Sequence, residues 1–176
     1  MQAWICDNPT GVDALQWRDA PDPQPALGEV RVAIRAASLN FPDLLVVQGK
    51  YQFKPQTPFV PGSEYAGTVE ALGEGVRGLK VGDRVAAFAG IGGFATRACV
   101  SAQLLLPLPD GMPWDEASAF ICTYATTHHA LADRAALRAG ETLLVLGAAG
   151  GVGTAAIQIG KALGARVIAG ASTPEK

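Results

Sequence analysis

The stretch Leu143-Leu144-Val145-Leu146-Gly147-Ala148-Ala149-Gly150-Gly151-Val152-Gly153 runs from an apolar segment into a glycine-rich turn and then into a helical pattern. An apolar run of this length followed by glycines reads as a buried strand that ends in a tight turn. A helix is expected over about 152–163, with Gly164 as its C-cap, and a second short strand over Ala165-Arg166-Val167-Ile168-Ala169-Gly170. Strand, turn, helix and strand within about thirty residues is the context a dinucleotide-binding turn requires. Glycines there let the backbone approach a pyrophosphate, and the helix N-terminus presents unpaired N–H groups to it. The expected cofactor contacts are therefore Gly147, Ala148, Ala149, Gly150, Gly151, Val152 and Gly153, with Ala149 standing where the usual second glycine sits. Residues 142–160 carry no charge and would just span a bilayer, but the clustered glycines, the flanking Glu141 and Lys161, and the mid-run change of period favour strand plus helix.

The composition is that of a globular protein, 49% hydrophobic and 17% charged, with a formal net charge of −2. No Lys/Arg run supplies the basic field that a nucleic-acid backbone demands, so no nucleic-acid partner is expected. Met1-Gln2-Ala3-Trp4-Ile5-Cys6-Asp7 has no basic start followed by a sustained apolar core, which leaves a cytoplasmic location as the default. Cys6, Cys99 and Cys122 lack CxxC spacing and do not suggest a disulfide framework or a structural zinc site. His128 and His129 are adjacent, so on a helix they diverge by about 100° and cannot share a metal as an i, i+4 pair can.

Before about residue 120 the chain reads as short strands separated by turns. Val30, Val32 and Ile34 alternate with polar residues, and similar runs occur at 68–72, 84–88 and 94–100. Proline and glycine clusters at 21–25, 55–62, 73–78 and 82–83 separate them. This half reads as an irregular β-barrel with a small helix near Pro42 to Val47. From Pro113 a helix-like stretch runs in pieces to Ala136, and the expected division is 1–123 and 124–176. Only one βαβ unit follows, half of a dinucleotide fold, and its exposed parallel edge leads us to expect a fragment of a longer protein.

The segments Ser38-Leu39-Asn40-Phe41-Pro42-Asp43, Pro61-Gly62-Ser63-Glu64-Tyr65-Ala66-Gly67, Lys80-Val81-Gly82-Asp83-Arg84-Val85, Gly147 to Gly153 and Val167 to Lys176 occur in one order and spacing. In these the chain resembles the zinc-independent quinone oxidoreductase branch of the medium-chain dehydrogenase/reductase superfamily. The resemblance implies a GroES-like β-barrel followed by a Rossmann domain, here incomplete, an α/β plus β architecture with the active site in the cleft between them. Zinc-dependent relatives read Gly-His-Glu at Gly62-Ser63-Glu64 and carry a cysteine near Asn40. Serine and asparagine cannot replace that imidazole and thiolate, so no metal is expected and Glu64 reads as structural.

By the same resemblance Asn40, Tyr51 and Thr126 lie near nicotinamide and substrate. Each can donate a hydrogen bond: Asn40 and Tyr51 to polarise a carbonyl, Thr126 to hold the nicotinamide. NAD-specific sites place Asp or Glu at the end of the second strand, where this chain has Ala171. Ser172 and Lys176 suit a 2′-phosphate, so the expected cofactor is NADPH. The expected reaction is hydride transfer to a quinone or an α,β-unsaturated carbonyl. The alternatives are an enoyl-thioester (acryloyl-type) reductase and a non-catalytic binding or structural fragment. Family members commonly form homodimers, which makes one possible here.

Overall fold

The computed structural model describes residues 1–173 and Glu175. The chain forms two compact units, one over Met1–Ala119 and the other from Phe120 onward.

In the first unit, β1 (Gln2–Ile5) and β2 (Gln16–Asp19) make an antiparallel hairpin that sets Trp4 opposite Trp17. Five further strands, β3 (Glu29–Ala37), β4 (Glu64–Leu72), β5 (Arg84–Phe88), β6 (Arg97–Ser101) and β7 (Leu105–Pro107), form an antiparallel sheet in the order β6-β3-β4-β5-β7. The segment before β6 joins hairpin to sheet: Trp4 N–H donates to Phe94 O at 2.9 Å, Thr96 N–H to Gln2 O at 2.8 Å, and Ile34 N–H to Thr96 O at 3.0 Å. These bonds curl the strands toward a barrel and leave fewer open edges. Alternation along β3 and β6 buries Val30, Val32, Ala98 and Val100, which meet Tyr65, Val69, Val85 and Leu105 in the core.

Helix α1 (Phe41–Val47) follows β3 directly, and α2 (Trp114–Ser118) packs on β3, β4 and β5, burying Ala117 and Ser118. The Arg84 guanidinium lies over the Trp114 ring, 4.1 Å from its centroid, and donates to the Met112 carbonyl, fixing the entry to α2. Where β3 and β4 run closest, a Cβ on Gly67 would stand 2.2 Å from Ala33 O, so this position admits no side chain at all. A register shift between Ile34 and Ala36 marks the same place as a bulge.

In the second unit a continuous helical run comprises a π-helical turn over Ile121–Ala125, α3 (Thr126–His128) and a second π-helical turn over His129–Arg134. Strand β8 (Thr142–Leu146) then pairs in parallel with β9 (Arg166–Gly170), and α4 (Gly151–Ala162) crosses over them. A Cβ on Gly160 would lie 2.7 Å from Leu143 Cδ2 and 3.1 Å from Val167 Cγ2, so the missing side chain lets α4 sit down on both strands. The uncharged run 142–160 thus divides into strand, turn and helix. Among the described residues no helix is long and apolar enough to cross a membrane.

Glu70 on β4 receives Arg31 Nε at 2.9 Å from β3 and Arg97 Nε at 2.9 Å from β6, which links three adjacent strands. The Arg97 hydrogen bond, and then the charges of Arg97 and Arg31, hold the Glu70 carboxyl below its ordinary range. Because folding lowers this pKa, its stabilisation is present above the ordinary carboxylate range and is lost as pH falls through the folded value. Glu70→Gln should therefore lower the thermal midpoint at about pH 7, with the gap to the unsubstituted protein closing below about pH 4. A scan of unfolding midpoint against pH for the two proteins checks this; a gap that stays constant on acidification contradicts it.

Candidate functional site

The candidate site of the first unit is built where β3, α1 and the start of β4 meet. Asn40 is extended (φ −110°, ψ 150°) and is the N-cap of α1, while Pro42 in the first helical turn has a fixed φ suited to starting the helix. Asp43 closes the turn: its Oδ2 accepts the Asn40 N–H at 2.8 Å and its Oδ1 accepts the Ser63 N–H at 2.9 Å. One buried carboxylate thus ties α1 to the segment entering β4.

Glu64, the first residue of β4, is fully buried. Its Oε2 accepts the Ser38 hydroxyl at 2.8 Å and Asn40 Nδ2 at 3.1 Å, and Nδ2 also donates to Ser38 Oγ at 2.9 Å. The Ser38 N–H donates to Glu64 O at 3.2 Å, so main chain and side chains join the same two strands. Asn40 and Asp43 border an apolar cavity of about 770 Å³ whose walls include Trp4, Trp17, Ile34, Leu39 and Leu44. Tyr51 does not line this cavity. It packs, half-buried, against the cluster of Cys6, Val46 and Phe59, and its N–H donates to Leu45 O at 3.2 Å.

Burial pushes the Tyr65 phenol above its ordinary range, and likewise the Cys6 and Cys99 thiols. Neither thiol is therefore set up as a thiolate nucleophile. Ser63 Oγ and Tyr65 OH are buried without a hydrogen-bond partner among the described residues.

The second unit holds the glycine-rich turn. Gly147 takes φ +67°, a left-handed conformation that favours glycine. Ala148 N–H donates to Gly170 O at 3.1 Å, which ties the turn to the end of β9, and Gly150 N–H donates to Gly147 O at 3.1 Å. Thr154 N–H then reaches Gly150 O at 2.8 Å as the first bond of α4. A Cβ on Gly153 would stand 2.5 Å from Gly147 O and 2.7 Å from Ala148 Cα, both main-chain atoms, so turn and helix can be this close only with glycine there.

On the open side, Leu146, Gly147, Ala149, Gly150, Gly170, Ala171 and Ser172 surround a cavity of about 460 Å³. The turn and Ser172 are thus brought to one site, while Lys176 lies outside the described residues. Thr126 opens α3 with its side chain exposed. Its buried neighbour Thr127, which the sequence reading passed over, donates from Oγ1 to Thr123 O at 2.7 Å. A longer contact at 3.4 Å joins the same hydroxyl to Val152 O, so Thr127 anchors the helical run beside the start of α4. His129 Nδ1 pairs with Asp133 Oδ2 at 2.9 Å on the exposed face of that run.

Ser38, Asp43 and Glu64 were not singled out as site residues from the sequence. The Asn40-x-x-Asp43 spacing of a helix start was a local signal for one of them. Glu64 lies 24 residues from Asn40 and gave no such signal.

Residues 26–110 match the model of the alcohol dehydrogenase GroES-like domain. The chain is 42% identical over 167 residues to a quinone oxidoreductase of Pseudomonas aeruginosa, covering 94% of this chain and 51% of that protein. A solved structure of the quinone oxidoreductase of Thermus thermophilus, described together with its NADPH complex, matches with TM-score 0.87 and 40% identity over 99% of this chain and 55% of that one. The human synaptic vesicle membrane protein VAT-1 homolog-like protein matches with TM-score 0.94 and 38% identity over 98% and 56% of the two chains. The chain thus spans about half the length of these relatives.

Asp43→Asn replaces one acceptor oxygen by an amide that faces an N–H donor. It should destabilise the first unit by about 1–3 kcal/mol, the cost of an unmade buried hydrogen bond. Urea unfolding of the two proteins measures this, and an unchanged midpoint would show that the Asn40 and Ser63 amides do not depend on the carboxylate.

Proposed function

Because the chain belongs to the quinone oxidoreductase branch of the medium-chain dehydrogenase/reductase superfamily, we propose that it serves NADPH-dependent reduction of a quinone or an α,β-unsaturated carbonyl. When bound, NADPH supplies a hydride from C4 of its nicotinamide. The observation that carries the reading is the fit of the glycine-rich cradle to a pyrophosphate. Apart from Leu146, its open side is lined by residues with small side chains or none, and the first-turn N–H groups of α4 lack acceptors within the helix.

At the end of β9, Gly170 and Ala171 leave no carboxylate to repel a 2′-phosphate, and the Ser172 hydroxyl beside the cavity suits one. Lys176 belongs to the same reading as a source of positive charge. These features support NADPH over NADH.

In this reading the reaction needs no zinc. Ser38, Asn40, Ser63 and Glu64 offer neither imidazole nor thiolate, and Glu64 Oε2 is engaged by Ser38 and Asn40. The work left to the chain is positional and electrostatic. Tyr51 polarises the substrate carbonyl through its hydroxyl, Thr126 holds the nicotinamide, and Asn40 orients the bound group. Division of the chain into a catalytic barrel over 1–123 and a nucleotide-binding part over 124–176 belongs to the same proposal. So do a cytoplasmic location and a homodimeric assembly, both supported by the resemblance.

Gly153→Ala tests the cradle, since its Cβ would have to displace main-chain atoms of the turn. In the full-length protein NADPH should bind more tightly than NADH. The substitution should weaken NADPH binding by about tenfold or more while far-UV circular dichroism is retained. Nicotinamide fluorescence titration reads both, and absence of NADPH binding by the unsubstituted protein overturns the proposal.

A further inference from the structure

We propose that Tyr124 and Thr127 are positioning residues that clamp the helical run bearing Thr126 onto α4, so that the hydroxyl serving the nicotinamide and the cradle serving the pyrophosphate are held as one body. The inference rests on the functional reading above and deepens it. All of the residues concerned lie in the second unit. Three contacts join the run to the helix. The Tyr124 hydroxyl donates to Gln158 Oε1 on α4 at 2.6 Å. The Tyr124 ring stacks on Phe120, with centroids 4.8 Å apart and 16° between the planes, which restricts the ring from which that hydroxyl projects. Nearer the start of α4, the buried Thr127 hydroxyl is shared between Thr123 O at 2.7 Å and Val152 O at 3.4 Å, a three-centre contact whose longer arm reaches the first turn of the helix. Thr123 closes the joint beside it: a Cβ on Gly151 would stand 3.1 Å from Thr123 Cγ2, so the run lies close against α4 at a glycine.

The side chains of the run divide by face. Thr123 and Thr127, one turn apart, both meet α4, whereas Thr126 between them is exposed. Thr126 is thus open to a ligand while its neighbours fix where it stands. The cradle itself is set independently of the clamp, because Gly153 packs on Gly147 and Ala148 within the turn. Loosening the clamp therefore leaves the pyrophosphate site intact and spoils the distance from it to Thr126. Hydride transfer is sensitive to that distance, since the reacting ring must be held in a near-attack geometry.

The test uses the full-length protein with Tyr124→Phe and Thr127→Val, each alone and combined with Thr126→Ala. It reads kcat/KM with a benzoquinone and the dissociation constants of NADPH and of 2′-phospho-ADP-ribose, which keeps the pyrophosphate and lacks the nicotinamide. Each substitution should lower kcat/KM by about fivefold when Thr126 is present and by less than about twofold in the Thr126→Ala background. NADPH should bind about fivefold more weakly, whereas binding of 2′-phospho-ADP-ribose should change by less than about twofold. Thr127→Ser, which keeps the hydroxyl, should restore most of the loss, and Tyr124→Phe carries the test alone if Thr127→Val does not fold. Equal kinetic losses in both backgrounds, no loss on Tyr124→Phe or on Thr127→Val, no effect of Thr126→Ala in an active protein, or equal weakening of the two ligands overturns the positioning role alone. Failure of the unsubstituted protein to bind NADPH or turn over quinone overturns the functional reading and this proposal with it.

Discussion

A close backbone approach between β3 and β4, possible only because residue 67 has no side chain, fixes the register on which the first unit depends. Register in a sheet has period two, so a slip of one residue would carry every inward side chain to the other face. With Gly67 opposite Ile34, Tyr65 pairs with Ala37 and Glu64 comes level with Ser38 at the end of β3. The same pairing that buries Tyr65 and Val69 in the core therefore brings the Glu64 carboxylate to Ser38 and Asn40. Fold and candidate site share one steric constraint.

The second unit repeats this logic with different partners. Gly153 and Gly160 lie on α4 where a methyl group would strike the turn or the strands. Small residues bring the helix N-terminus close to the end of β8, and its N-cap Gly150 lines the cavity beside Ser172. Thr127 adds a side-chain tie from the preceding helical run. The geometry suited to an anion thus follows from how tightly the helix packs, and no charged side chain lines the cavity among the described residues.

Much of this could be read in advance. The alternation of Val30 and Val32, the helix start at Pro42, and the glycine turn with its flanking strands are local patterns set by period and backbone sterics. Strand β4 was readable only from Thr68, because Glu64, Tyr65, Ala66 and Gly67 are all buried and alternation disappears when both faces are covered. The hairpin of β1 and β2 escaped for a related reason. Ala3 and Ile5 face inward, but Trp4 on the outer face is as apolar as they are, and it packs against Trp17 at a centroid distance of 5.7 Å. The Ser38–Asn40–Glu64 triangle joins residues up to 26 apart, a relation only tertiary structure supplies. Residue type alone offered Asn40 as a donor to a ligand, whereas its Nδ2 also donates to Ser38 Oγ and Glu64 Oε2 within the fold.

The central claim is that the glycine cradle and the Asn40 site serve hydride transfer from a nicotinamide. It is tested most directly by following the label from NADPH deuterated at C4, in each stereochemical form, into an α,β-unsaturated ketone incubated with the full-length protein. The account predicts that one of the two forms delivers deuterium to the β-carbon of the reduced ketone, detected by mass spectrometry and NMR. Consumption of NADPH without label in the product, or no reduction of either an enone or a quinone, would contradict it.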